Sequence, residues 1–143
     1  MPRRDVPDND RMSRFCRERY VAAKTGSLRP GLFKPRANRV NGRLELSMCA
    51  SEGMSEEESW GVCTQHFDAA SPDPAIGRAD GRAGMLYEHR LSIERNDRPY
   101  PRHCDVIDWP LSAGENEADT KSASIEIAND LAGRFTFVGR TDR

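Results

Sequence analysis

Long apolar runs are missing from this 143-residue chain; the longest are a few residues, such as Phe135–Val138. A membrane-spanning helix needs about 20 consecutive apolar residues, so neither such a helix nor a membrane partner is expected. The opening Met1-Pro2-Arg3-Arg4-Asp5 lacks the apolar stretch of an export signal, which predicts a cytoplasmic protein. Aromatic residues are scarce at 7%, and 36% hydrophobic stands against 31% charged. A core of that composition is small, and several segments must stay near the surface. Cysteines number four, at 16, 49, 63 and 104. In a reducing compartment they predict free thiols rather than a disulfide framework. No internal repeat is visible, and no motif asks for a cofactor.

Lysine is nearly absent as well: three residues, against nineteen arginines. The cations are unevenly placed. Residues 1–43 hold twelve Lys and Arg against four Asp and Glu, a charge of +8, while residues 44–143 carry −9. Such asymmetry points to an acidic or nucleic partner, or to a basic arm folded onto its own acidic body. Within the arm, Arg36, Arg39 and Arg43 are the expected partner-binding residues.

Residues 1–10, with two prolines and three aspartates, read as a flexible tail. Residues 11–143 read as one α+β domain with a mostly antiparallel sheet, two main helices and long loops, its N-terminal part (11–43) being the basic arm. Helical spacing of Phe15 with Arg19 or Tyr20 predicts a short helix over 11–23. Gly26, Pro30, Gly31 and Pro35 then enforce an extended loop anchored by Leu32 and Phe33, and Asn41-Gly42 marks a turn. Alternation over Leu44–Met48 predicts a strand. Ser55 followed by Glu58 is a capping-box pattern, and Trp60, Cys63, Thr64 and Phe67 fall on one stripe, so residues 55–67 should be helical with Trp60 buried. Residues 68–84, rich in Pro and Gly, read as a long loop. Alternation from Met85 to Ile93 predicts a strand, and Val106-Ile107 a short one. Ala118, Ser122, Ile125, Ala128, Leu131 and Ala132 form a helical stripe over 115–132, with Gly133 as C-cap. Phe135 and Phe137 read as an edge strand.

Three segments carry candidate chemistry. Cys63-x-x-His66 and His103-Cys104 supply the four ligands that a closed zinc site needs, but adjacent residues of an extended segment point apart, and no metal is expected. Gly77-Arg78-Ala79-Asp80-Gly81-Arg82 precedes a strand rather than following one, unlike a phosphate-cradling loop. What remains is a flexible loop in which Arg78 and Arg82 can hold an anion. Arg102-His103-Cys104-Asp105, pinned between prolines, places an imidazole that titrates near neutrality beside an orienting carboxylate and an anion-holding Arg102.

The segments Lys24-x-Gly26, Pro30-Gly31-x-Phe33-Lys34-Pro35-Arg36, Leu46-Ser47, Met54–Trp60, Arg78-Ala79-Asp80 and Arg102–Pro110 together resemble a family of short bacterial proteins to which no activity is attached. The resemblance covers residues 14–132. It implies a bacterial or phage origin and a standalone cytosolic domain, and brings no catalytic residues with it.

Two functional classes follow. The first is a binding or regulatory domain recognising a protein or polyanion partner; a protein is the first expectation and nucleic acid the second. The alternative is a small enzyme acting on a nucleotide or RNA phosphate, with His103 and Asp105 catalytic and Arg78, Arg82 and Arg102 on phosphate. Convergence of His103, Asp105 and Arg78 in one pocket would favour the enzyme.

Overall fold

Met12 and Cys16 are apolar and two-sided packing suits both, so the segment around them extends rather than coils. The computed structural model describes residues 2–110 and 117–143 and places Arg11–Arg17 as strand β1, not a helix. Ser13 and Phe15 face one side of the sheet and Met12 and Cys16 the other, and all four are buried. The helical spacing seen in the sequence belongs to the short turn that follows, Glu18–Tyr20.

The remaining strands are β2 (Arg36–Ala37), β3 (Leu44–Ala50), β4 (Ala75–Arg82), β5 (Ser92–Arg95), β6 (His103–Ile107) and β7 (Thr136–Gly139). They form a seven-stranded sheet in the order β5-β6-β3-β1-β4-β7, with β2 paired to β3. Every pairing between these strands is antiparallel. The α+β, single-domain architecture is as the sequence predicts. The β2–β3 hairpin turns at Asn41-Gly42, where Gly42 takes a left-handed φ of +73°.

Strand β4 lies inside the segment expected to be a loop. Its glycines are not there for flexibility. A Cβ at Gly77 would sit 2.5 Å from the Phe137 ring, and one at Gly81 2.6 Å from the Phe135 ring. The missing side chains make room for two aromatic rings from the chain's last segment. The expected strand at 85–93 also changes: Ala83–Tyr87 form helix α2, and β5 begins only at Ser92. Buried Ala83, Leu86 and Tyr87 stand at helical spacing, and the backbone N–H groups of Ala83 and Gly84 donate to Asp10 O and Asp8 O.

Helix α1 (Glu56–Val62) starts as predicted. Ser55 accepts from the Glu58 N–H, and Glu58 returns a bond to the Ser55 N–H. The helix then widens into a π-type turn, Cys63–Phe67. Trp60 is buried. Helix α3 (Glu117–Arg134) buries Ile127, Ala128 and Leu131 against the turn at Pro30–Phe33, while Ile125 is exposed, so the buried stripe is offset from the expected one. Gly133 is inside this helix rather than its cap. Residues 115 and 116 and the side chain of Ala118 lie outside the described residues.

The first residues are not a free tail. Arg3 and Asp5 exchange backbone hydrogen bonds with Ile93, making a parallel bridge along β5. Val6 is buried, and Tyr87 Oη donates to its carbonyl at 2.5 Å. An edge strand exposes unpaired N–H and C=O groups, and this segment covers them.

The main core lies on the sheet face that carries Met12, Leu46, Met48, Ala79, Ile93, Cys104 and Val106, beneath α3. The opposite face holds a smaller cluster of Phe15, Trp60, Cys63 and Ala75 under α1, and there the polar side chains gather.

Candidate functional site: a basic cleft where two strands part

His103, Cys49, Ser13 and Asp80 form one row across that second face, by strand register. His103 and Asp105 thus share a face on β6, with Arg78 three strands away, roughly 14 Å at the usual spacing. The three do not converge in one pocket. Arg78 is 2% exposed and fully engaged: it donates to Asp80 at 2.9 Å, to both oxygens of Glu56 at 2.8 and 3.0 Å, and to Ser59 at 3.3 Å. Ser13 also donates to Asp80, at 2.6 Å. The Arg78 hydrogen bonds hold the Glu56 carboxyl below its usual pKa. Arg78 therefore ties α1 to β4, its charge matched by two carboxylates.

Arg102 is a brace of the same kind. It adopts a left-handed φ of +78°, its N–H donates to Asp97 at 2.7 Å, and its guanidinium donates to the carbonyls of Ala50 and Glu52 at 3.2 and 2.5 Å. Arg82 is exposed and donates to the Asn9 carbonyl at 2.5 Å, three strands across the sheet from Arg102.

His103 is buried. Its Nδ1 donates to Asn96 Oδ1 at 2.7 Å, since an amide oxygen can only accept, and Asn96 Nδ2 donates to Asp105 Oδ2 at 2.7 Å. Asp105 lies 3.9 Å from His103 Nε2. Burial pushes the imidazole's pKa down and the Asp105 carboxyl's up. The ring is neutral at pH 7, with Nε2 left as an acceptor. Cys104 points to the other face into the core, where burial pushes its thiol up to about 12 and removes it as a nucleophile. All four thiols are free and buried. Among the described residues no three or more His, Cys, Asp and Glu side chains gather as metal ligands.

The residues brought together are others. Pairing between β1 and β3 ends at Ser13 and Cys49, and the strands then diverge. Arg14 fills the gap. Its Nε donates to the Leu32 carbonyl at 2.6 Å and its Nη1 to the Ser47 carbonyl at 2.8 Å. Burial lowers its pKa to about 10, which leaves it charged at neutral pH. Its largest electrostatic neighbours are Cys16, Tyr20, Arg36 and Tyr100, with no carboxylate among them.

Two adjoining hollows open on either side of Arg14 and share Arg14, Phe15, Ser47 and Phe67 as walls. The first, about 200 Å³, is rimmed by Arg17, Arg19, Lys34 and Arg36. The second, about 290 Å³, is lined by Met48, His66, Pro99, Tyr100 and His103. Arg17 lies over the Phe67 ring at 4.1 Å and Arg19 over Tyr20 at 4.8 Å, cation–π contacts that favour these positions. Among the described residues Glu45 is the one carboxylate lining either hollow, and Arg43 holds it at 2.7 Å. Among the described residues none of the five cleft cations forms an ion pair.

The expected partner-binding trio is divided by this arrangement. Arg36 lines the cleft, Arg39 is exposed at the hairpin tip, and Arg43 is spent on Glu45 and Glu94. Arg14, Arg17, Arg19 and Lys34 were legible in the sequence only as members of the basic arm. The signal that groups them is Pro30-Gly31, whose turn folds Lys34 and Arg36 back beside β1.

Comparison with protein-family models, with curated proteins and with solved structures returns no match. No helix among the described residues is long and apolar enough to cross a membrane.

Proposed function

We propose that this chain is a binding module that recognises a polyanionic partner, with nucleic-acid phosphate as the ligand chemistry, through the cleft between β1 and β3. One observation carries the reading: Arg14 is half-buried with carbonyls as its hydrogen-bond partners, in a hollow rimmed by four further cations that form no ion pair among the described residues. A partly desolvated cation without a counter-ion has lost some of its hydration, and a bound anion offsets that loss. The planar fork of an arginine can grip a phosphate with two hydrogen bonds.

The test is a titration of labelled single-stranded RNA and DNA at rising salt, with an Arg17→Glu, Arg36→Glu double variant beside the native chain. Four neutralised phosphates give a slope of about −2.8 in log K against log salt, roughly 50-fold weaker binding for a fourfold rise in salt. The double variant should bind at least tenfold more weakly, on the order of two lost charge-assisted contacts. Absence of binding at low salt, or capture of an acidic peptide in place of nucleic acid, overturns the reading, the latter in favour of a protein partner.

The enzyme alternative retains one supporting observation: neutral His103 lines the hollow next to Arg14. Asp105 does not line it, and Arg78 and Arg102 are committed to the scaffold. Turnover of an RNA phosphodiester lost in His103→Asn would favour it.

A further inference from the structure

The second hollow differs in character from the first. Where the first is rimmed by charge, the second is walled by the rings of Phe15, Phe67, Tyr100, His66 and His103. These rings already pack against one another, at tilted or edge-on angles. Phe15 and Phe67 lie 5.8 Å apart, His66 and Tyr100 5.2 Å, and Tyr100 meets His103 edge-on at 5.2 Å. Phe15 and Tyr100 are 6% and 9% exposed, so their positions are set by packing before any ligand arrives. His66 and Phe67 are half-buried and sit on the π-type turn, which aims two successive side chains at the hollow.

We infer that this aromatic chamber receives a nucleobase, so that the cleft as a whole binds a nucleoside phosphate unit: base among Phe67, His66 and Tyr100, phosphate on Arg14 and its rim. This rests on the polyanion reading above and narrows it. The two hollows meet at Arg14, so a base and its own phosphate can be held at once. Single-strand binders combine these two elements, a cationic track for the backbone and aromatic faces for the bases. A polyanion without rings, such as an acidic peptide or polyphosphate, would leave the chamber unfilled. The neutral His103 ring adds a further aromatic edge to the chamber wall. A free nucleotide and a nucleotide within a strand present the same chemistry.

The experiment compares the full chain's affinity for a short single strand with that for an abasic strand of equal length and phosphate count, both at low salt. The base-containing strand should bind at least about tenfold tighter, the effect of one stacked base. His66→Ala and Tyr100→Leu, checked by melting curves, should each reduce that preference while leaving affinity for the abasic strand unchanged. Equal affinity for the two strands overturns the chamber assignment and leaves the polyanion reading standing. Failure of both strands to bind overturns the polyanion reading itself. A second arm competes the strand with a nucleoside monophosphate and with ribose 5-phosphate. Displacement by the nucleotide but not by the sugar phosphate assigns a free nucleotide as a sufficient ligand, and displacement by neither assigns the strand. Equal displacement by both removes the role given to the base.

Discussion

Arg78 is buried and Arg14 half-buried, and their partners decide their roles. Arg78 is surrounded by the carboxylates of Glu56 and Asp80, so its charge is satisfied internally. Arg14 has two carbonyls and an open hollow. Trp60 stands beside Arg78, its ring 5.0 Å beneath the guanidinium and its Nε1 donating to Glu56 at 3.1 Å and Thr141 at 2.9 Å. Trp60→Ala should therefore cost about 3–5 kcal/mol, the usual range for truncating a buried aromatic, read as a lower midpoint in denaturant. An unchanged midpoint would contradict the placement. His103 makes a pH prediction. Burial lowers its folded pKa, so as pH falls the unfolded chain takes up the proton first. Stability present at pH 7 is lost as pH falls through about 6.5 toward the lower folded value. Asp105 and Glu45, the acids that face the ring, oppose this shift. NMR titration should place the His103 midpoint below about 6.5, and His103→Asn, which keeps a donor for Asn96, should flatten the stability loss between pH 7 and 5. A midpoint above the unfolded value would refute the burial argument.

At the scale of the element, β4 is the instructive case. Its run of Gly77, Ala79 and Gly81 is one small-residue face, and rings from Phe135 and Phe137 fill the space it leaves. In sequence the same residues read as a loop, because glycine's usual meaning is turn or flexibility, and the rings that occupy its place come from more than fifty residues downstream. Gly77→Ala should destabilise by about 1–3 kcal/mol or more, the range for overpacking, since its Cβ would meet both the Phe137 ring and the Val138 carbonyl. Gly133→Ala, in α3 with open space around it, should instead stabilise by up to about 1 kcal/mol as helix propensity dictates. Thermal melts of the two variants should move in opposite directions. A Gly77→Ala chain as stable as the native one would mean that β7 does not seat on β4 as described. Helix α1 is the opposite lesson: its capping box is a local device, so both its start and the burial of Trp60 were legible in the sequence. The strand at β1 was missed because Arg14 interrupts its alternation, and that same arginine makes the cleft.

At the scale of the whole molecule, the two halves of the charge distribution are only partly matched. Arg3 and Arg43 reach Glu94, and Arg43 also takes Glu45, so part of the basic arm is folded onto the acidic body. Five of the others, Arg14, Arg17, Arg19, Lys34 and Arg36, gather where β1, the Pro30–Phe33 turn and β2 surround one hollow. Positive potential gathered in a concave, low-dielectric site is stronger than the same charges spread over a convex face. This is why the salt titration, and its loss in the Arg17→Glu, Arg36→Glu variant, is the measurement that belongs to the molecule rather than to any one side chain. The acidic majority of the chain keeps the net charge at −1, so binding that depends on the cleft should appear without general affinity for polyanions elsewhere on the surface.

The sequence by itself determined the class of fold, the capped start of α1, the buried anchors Leu32 and Phe33, the hairpin turn at Gly42 and the cationic character of the first 43 residues. Each of these depends on neighbours within a few positions or on composition alone. Tertiary structure decided which cations stand together, that Arg78 and Arg102 brace the scaffold, that His103 lies beside Arg14 rather than beside Arg78, and that aromatic rings from three separate segments wall one chamber. These outcomes turn on strand order and on where pairing between β1 and β3 stops, and both are set by contacts between residues far apart in the chain, which local pattern does not encode.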